Sequence, residues 1–174
     1  MSPRLRKALL AVHLVASIGW VGGVLGYIAL SVAAQTSADP ARIRGVWLSL
    51  EILGWWILVP QALMTLLTGV ALAFATRWGL LQHYWVVTAL VLTSLCSVVL
   101  VLHMRDVSAM AEMARTASPT ELQLMGGDLP HPTLGLVLLL FILVLNIYRP
   151  RGLTRRGWRL QQQRRAEGIS RCVP

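Results

Sequence analysis

Histidines are the residues of this sequence whose type and spacing favour a specific chemistry. The four histidines are His13, His83, His103 and His131. A neutral imidazole is a good ligand for haem iron, copper or zinc. His13 lies six residues after Lys7, and His83 lies six residues after Arg77, so the two are expected at similar depth near one face of a membrane. This matched spacing predicts that His13 and His83 hold one b-type haem between facing helices.

The other two histidines form a second candidate pair on the opposite side. His103 and His131 flank a polar connection at residues 105–130, and Met104 directly follows His103. Imidazole and thioether groups together can bind copper. The second-choice site is therefore made by His103 and His131, which would hold either a haem or, together with Met104, a copper ion. A further alternative remains for each histidine, namely a hydrogen bond to a lipid headgroup or a backbone carbonyl.

The first helix should present one polar and aromatic face to its neighbours. At 100° per residue, one stripe carries His13, Ser17, Trp20, Val24 and Tyr27. Polar groups are costly in lipid, so this stripe is expected to face the bundle. Ser17 would then offer a polar contact to a haem, and Trp20 a flat apolar wall. The glycines at positions 19, 22, 23 and 26 lie mainly on the other side, where a second helix can approach closely.

One acidic residue is a further candidate. Glu51 is placed near the outer end of the second apolar block, and an ionisable residue at that depth is a functional candidate by default. Pro60 follows in the same block and is expected to kink the helix.

The elements that position these residues are apolar helices. Only 13% of the 174 residues are charged, and residues 8–34, 52–76, 78–104 and 129–148 contain no charge at all. A transmembrane helix needs about 20 mostly apolar residues. The pattern excludes an ordinary soluble enzyme and a β-barrel. It predicts an all-α, four-helix transmembrane bundle that runs up-down-up-down, with a membrane domain at residues 1–157 and a basic tail at residues 158–174.

Basic residues predict the orientation. Twelve of the 16 lysines and arginines lie before the first block, between the second and third, or after the fourth. The positive-inside rule then places both termini in the cytoplasm and the protein in the cytoplasmic (inner) membrane. The net charge is +9, and eight of the 16 basic residues lie after residue 148, so we expect anionic lipid, and not nucleic acid, as the partner of this basic end of the chain.

Several stretches together resemble a known bacterial family of four-span membrane proteins of unknown function. They are HLVASIGWVGG at residues 13–23, VP at 59–60 with LTG at 67–69, WGL at 78–80 with HYWV at 83–86, and YRPRGLT at 148–154. The similarity covers about residues 8–157. More remotely, His13, Trp20 and Gly22 are similar to the first helix of haem-binding membrane proteins of the protoporphyrinogen oxidase type and of copper-resistance membrane domains. The oxidase pattern expects a lysine where Thr88 stands, so this likeness implies haem binding but not oxidase activity.

Three functions are consistent with the sequence. The first is a haem-binding, redox-linked membrane protein with an electron-transfer partner. The second is a copper or metal-handling module on the outer face. The third is a structural or accessory subunit that binds no cofactor and packs against partner helices. No pattern of a serine hydrolase, metalloprotease, P-loop or dinucleotide-binding protein is present, so the sequence favours a protein that is not an enzyme.

Overall fold

The computed structural model describes residues 2–75, 82–148, 150, 152–155, 157–159 and 162–163. Helices make up nearly all of these residues. They are α1 (Pro3–Gln35), α2 (Pro40–Leu53), a π-helical turn (Gly54–Leu58), α3 (Val59–Ala75), α4 (Tyr84–Thr116), α5 (Pro119–Met125) and α6 (Pro130–Tyr148). Four helical stretches are long and apolar enough to cross a membrane. The predicted all-α, four-helix transmembrane architecture is confirmed.

The helix starts follow from local sequence. Ser2, Asp39 and Ser118 each cap a helix with the side-chain oxygen, and a proline occupies the first turn that follows each of them. Ser118 and Glu121 form a reciprocal capping box at the start of α5. These residues satisfy N–H groups that have no partner within the helix.

The four long helices form a ring. α1 packs against α3 and α6, and α4 packs against the same two helices, so α1 and α4 lie across the bundle from each other. The buried residues of α1 include Trp20, Val24 and Tyr27, which confirms that this stripe faces the interior. Of the glycines, Gly19 lies against Gln61 and Gly23 against Leu58. The expected close approach of a second helix therefore occurs at these two positions.

The bundle extends beyond the length of a membrane span at the end where α1 ends and α6 begins, which we call the distal end. α1 and α4 have 33 residues each, or about 50 Å at 1.5 Å per residue, against about 30 Å of hydrocarbon. The connection predicted at residues 105–130 is shorter in the structure, because α4 continues to Thr116. Its buried residues Val107, Ala111 and Ala114 follow helical spacing and, together with α2, enclose an apolar core.

The π-helical turn links α2 to α3 without a loop. Pro60 has no N–H group to donate to the carbonyl four residues earlier, and the N–H of Val59 bonds instead to the carbonyl of Gly54, five residues back. Gly54 packs against the side chain of Met104, which is fully buried. The expected disturbance of the helix near Pro60 thus takes the form of a wider turn, which brings Gly54 onto α4.

At the other end, the chain after α6 returns to the start of α4. The N–H of Tyr84 donates to Gly152 (3.3 Å), and the N–H of Thr154 donates to Gln82 (2.9 Å). This short antiparallel contact includes a bridge between His83 and Leu153. Most of the predicted basic tail, including Arg164, Arg165 and Arg171, lies outside the described residues.

Candidate functional site at the distal end of the bundle

Four side chains from distant parts of the sequence meet at the distal end. His103 of α4 donates from Nε2 to Oδ2 of Asp128 at 2.6 Å, and Tyr27 of α1 donates its hydroxyl to the same oxygen at 2.9 Å. His131 of α6 places Nδ1 3.6 Å from Oδ1 of Asp128. The rings of His103 and His131 stack with centroids 4.1 Å apart. We call His103, Asp128 and His131 the distal triad.

The backbone of the loop that carries Asp128 is held in place by contacts with α1 and α2. Gly126 has φ 58°, a conformation that favours glycine, and its carbonyl accepts from Nε1 of Trp47 (3.2 Å). The N–H of Gly127 donates to the side chain of Gln35 (2.8 Å). Gly127 also packs directly on the carbonyl of Ser31, where a Cβ atom would have no room. α1 and α2 therefore fix the position of Asp128.

Two hydrogen-bond donors favour an ionised carboxylate at Asp128 and offset the cost of burying its charge. Only 9% of the Asp128 side chain is exposed, and it accepts hydrogen bonds from two donors. Hydrogen bonds to the charged form of a carboxyl group stabilise that form. The side chain of His103 is 15% exposed and that of His131 is 60% exposed, so the site is closed on the protein side and open on the other.

The distal triad has the geometry of a metal-binding group. One ligand atom from each of the three residues lies within 4.8 Å of the other two. Ligand atoms about 2.1 Å from a zinc ion in a tetrahedral site lie about 3.4 Å apart. The spacing from His131 to Asp128 already matches this value, and the shorter contact of His103 would lengthen by less than 1 Å if an ion replaced the shared proton.

Met104, the third residue of the predicted outer metal site, lines an apolar cavity together with His103 and His131. Its side chain is fully buried and packs against Gly54 of the π-helical turn. The structure thus joins His103 and His131 as the sequence predicts, and it gives Met104 a place in the core.

His13 is joined to α3. Its Nδ1 lies 2.9 Å from Oγ1 of Thr68, and the single hydroxyl proton of Thr68 is donated to the carbonyl of Met64. Ser17 donates to the backbone carbonyl of His13 (2.8 Å), and Trp20 is buried in the bundle.

His83 is the N-cap residue of α4, at the end of the bundle where α1 begins. It adjoins α4, whereas His13 lies in α1, and these two helices lie across the ring from each other. The joint ligation of a haem by His13 and His83 stays a prediction.

Two groups of contacts were missed by sequence reasoning. Asp128 and Tyr27 are 101 residues apart, and no spacing in the sequence indicates that they meet. The signal available was Asp128 itself, three residues before His131 and directly after two glycines. The other case is Glu51, which accepts from Arg115 of α4 at 3.0 Å and is thereby paired at the distal end of the bundle.

The fold and the apolar helices together define a multi-pass integral membrane protein with a polar cluster at one end. Within this class, residues 7–150 match the model of the family described as predicted integral membrane protein (DUF2269), and the chain belongs to that family. The family membership expected from the sequence is confirmed. No curated protein and no solved structure matches the chain.

Proposed function

We propose that this membrane protein binds one divalent transition-metal ion, Zn²⁺ or Cu²⁺, at the distal triad. The convergence of the ligand atoms of His103, Asp128 and His131 within 4.8 Å carries the proposal. If the termini are cytoplasmic, as the basic residues predict, the triad faces the outside of the cell membrane. The protein would then capture or hold a metal ion at that face.

The ligand chemistry supports a divalent ion. Two imidazoles and one carboxylate suit zinc and Cu²⁺, whereas Cu⁺ prefers thiolate or thioether sulfur. A fourth position remains for water or a substrate group, as in metal sites that exchange their ligands.

Tyr27 supports the site as the partner of a ligand. Its hydroxyl donates to Oδ2 of Asp128, which orients the carboxylate and leaves Oδ1 towards His131. Groups that hydrogen-bond to metal ligands typically change metal affinity by about 10- to 100-fold when they are removed. The proposed site therefore combines three candidate ligands with one hydrogen bond that orients the carboxylate of Asp128.

Calorimetric titration of the purified, untagged protein in mild detergent with Zn²⁺ and with Cu²⁺ tests the proposal. We expect one ion per chain, and loss of binding in Asp128→Asn and His131→Ala. His13→Ala is the matched control, because it removes a histidine near the other end of α1, and it should bind as the wild type does. Unchanged binding in Asp128→Asn, or no binding by the wild type, would contradict the proposal.

The same purified protein can be used to test whether His13 and His83 bind a haem. Oxidised and dithionite-reduced absorption spectra should show a split reduced band if His13 and His83 ligate a b-type haem, and His13→Ala should remove it. If the spectra show no such band and the titration shows metal at the distal triad, the results support the metal-binding function alone.

A further inference from the structure

An apolar cavity lies beside the distal triad, between α1, α4 and α6. Its volume is about 240 Å³. An apolar cavity of about 150 Å³ is sufficient to bind benzene. The space therefore has room for a substituted six-membered ring. Its walls include Trp20 of α1, Leu100 of α4 and Leu138 of α6.

The two ends of this cavity differ in chemistry. Its polar end is formed by Tyr27, His103 and His131, and the remaining lining residues are almost all apolar. No lysine, arginine or carboxylate lines it among the described residues. A charged headgroup such as a phosphate would therefore lose its water without gaining an ion pair, which is costly. A neutral oxygen atom, in contrast, can accept a hydrogen bond from an imidazole N–H group.

The mouth of the cavity lies on the side of the bundle that faces lipid. Leu95 and Val99 of α4 and Leu134 of α6 line it, and these side chains are 52%, 46% and 62% exposed. His103 lies 19 residues beyond Tyr84, or about 29 Å along α4, which is close to the thickness of the hydrocarbon layer. A ligand would thus enter from the bilayer and place its polar head near the membrane surface.

We infer that this cavity binds the ring of a membrane-soluble quinone. A quinone combines a flat, uncharged ring, carbonyl oxygens that accept hydrogen bonds, and a long apolar tail. The ring would lie beside Trp20, with one carbonyl oxygen towards the imidazoles, and the tail would leave at the mouth between α4 and α6. The inference stands on the cavity and does not depend on metal binding at the distal triad.

One glycine allows the cavity to be filled without disturbing its walls. A Cβ atom added at Gly135 meets nothing within 4 Å, although Gly135 lines the cavity. A Gly135→Leu side chain should therefore occupy the ligand space. Gly26 of α1 also has nothing within 4 Å of an added Cβ and does not line the cavity, so Gly26→Leu is the matched control.

Quenching of tryptophan fluorescence by decylubiquinone, measured on the full-length protein in lipid nanodiscs, tests the inference. We expect saturable binding to the wild type and to Gly26→Leu, and at least tenfold weaker binding to Gly135→Leu. Leu138→Phe, which enlarges a second wall residue, should weaken binding in the same direction. Gly135→Leu and Leu138→Phe should keep the helical circular dichroism and the unfolding midpoint of the wild type, which shows that they are folded without reference to metal binding.

Decanol, which carries an alkyl tail without a quinone ring, serves as competitor. It should displace the quinone poorly. If decanol at the same concentration as decylubiquinone abolishes the quenching, the cavity binds alkyl chains and the inference is wrong. Equal quinone affinity in the wild type and Gly135→Leu, or quenching that never saturates, would also overturn it.

Discussion

Replacement of Gly127 by alanine should disrupt the distal triad without touching any of its side chains. An added Cβ atom would lie against the carbonyl of Ser31, 2.9 Å from its carbon and 3.2 Å from the Cα atom, with the oxygen closer still. Ordinary carbon contacts are about 3.5–4.0 Å. Because Ser31 belongs to α1, the loop and not the helix must yield, by about 1 Å.

A shift of this size is larger than the tolerance of the hydrogen bonds at Asp128. Contacts of 2.6 Å to His103 and 2.9 Å to Tyr27 would exceed the useful limit of about 3.2 Å. Hydrogen bonds to charged groups contribute about 1.5–3 kcal/mol each. Water can replace part of the lost hydrogen bonding at a half-open site. We therefore expect the unfolding free energy to fall by about 1.5–3 kcal/mol in total. Metal affinity should fall by about 10- to 100-fold.

Two measurements on Gly127→Ala check this reasoning. Chemical unfolding in detergent gives the stability change, and zinc titration gives the affinity change. Gly26→Ala is the control, since a Cβ atom at Gly26 meets nothing within 4 Å, and its stability and zinc affinity should stay close to the wild type. Wild-type zinc affinity in Gly127→Ala would refute the claim that this loop places Asp128.

Three further predictions concern separate parts of the molecule. Tyr27→Phe should weaken zinc binding by about 10- to 100-fold while keeping one ion per chain, because it removes only the hydroxyl that orients Asp128; calorimetry checks this. Arg44 donates from Nε and Nη2 to two carbonyls at the end of α4, at 2.9 and 2.8 Å, so Arg44→Gln should lower the unfolding free energy by about 1.5–3 kcal/mol, whereas an unchanged denaturation midpoint would show that the contacts contribute little. Reporter fusions within residues 115–125 and at Pro174 should read outside and inside, respectively, and the reverse pattern would invert the predicted orientation.

The membrane architecture could be predicted from sequence because it depends on where charged residues are absent and on helical spacing. Uncharged blocks of sufficient length define the spans, and the position of Trp20 and Tyr27 on one helical stripe identifies the buried face of α1. The same reasoning failed for the second half of α4. Charges such as Arg105 and Asp106 indicated a connection, although Val107, Ala111 and Ala114 recur at helical spacing and are buried where α4 packs against α2.

The distal triad was predicted only in part, for a geometric reason. His103 and His131 flank one connection, and their proximity follows from the topology of adjacent antiparallel helices. Asp128 enters the site because Gly126 and Gly127 turn the loop over α1, and this depends on tertiary contacts with Ser31 and Trp47. Such contacts have no period or spacing that a single sequence reveals.

X-ray absorption spectroscopy of the zinc-loaded protein tests the central claim most directly. The account predicts a zinc ion with two imidazole nitrogens at about 2.0–2.1 Å and a carboxylate oxygen at about 2.0–2.2 Å, and the imidazole signal should weaken in His131→Ala. A sulfur neighbour at about 2.3 Å, or a zinc spectrum that His131→Ala and Asp128→Asn leave unchanged, would show that the ion binds elsewhere and contradict the assignment of the distal triad.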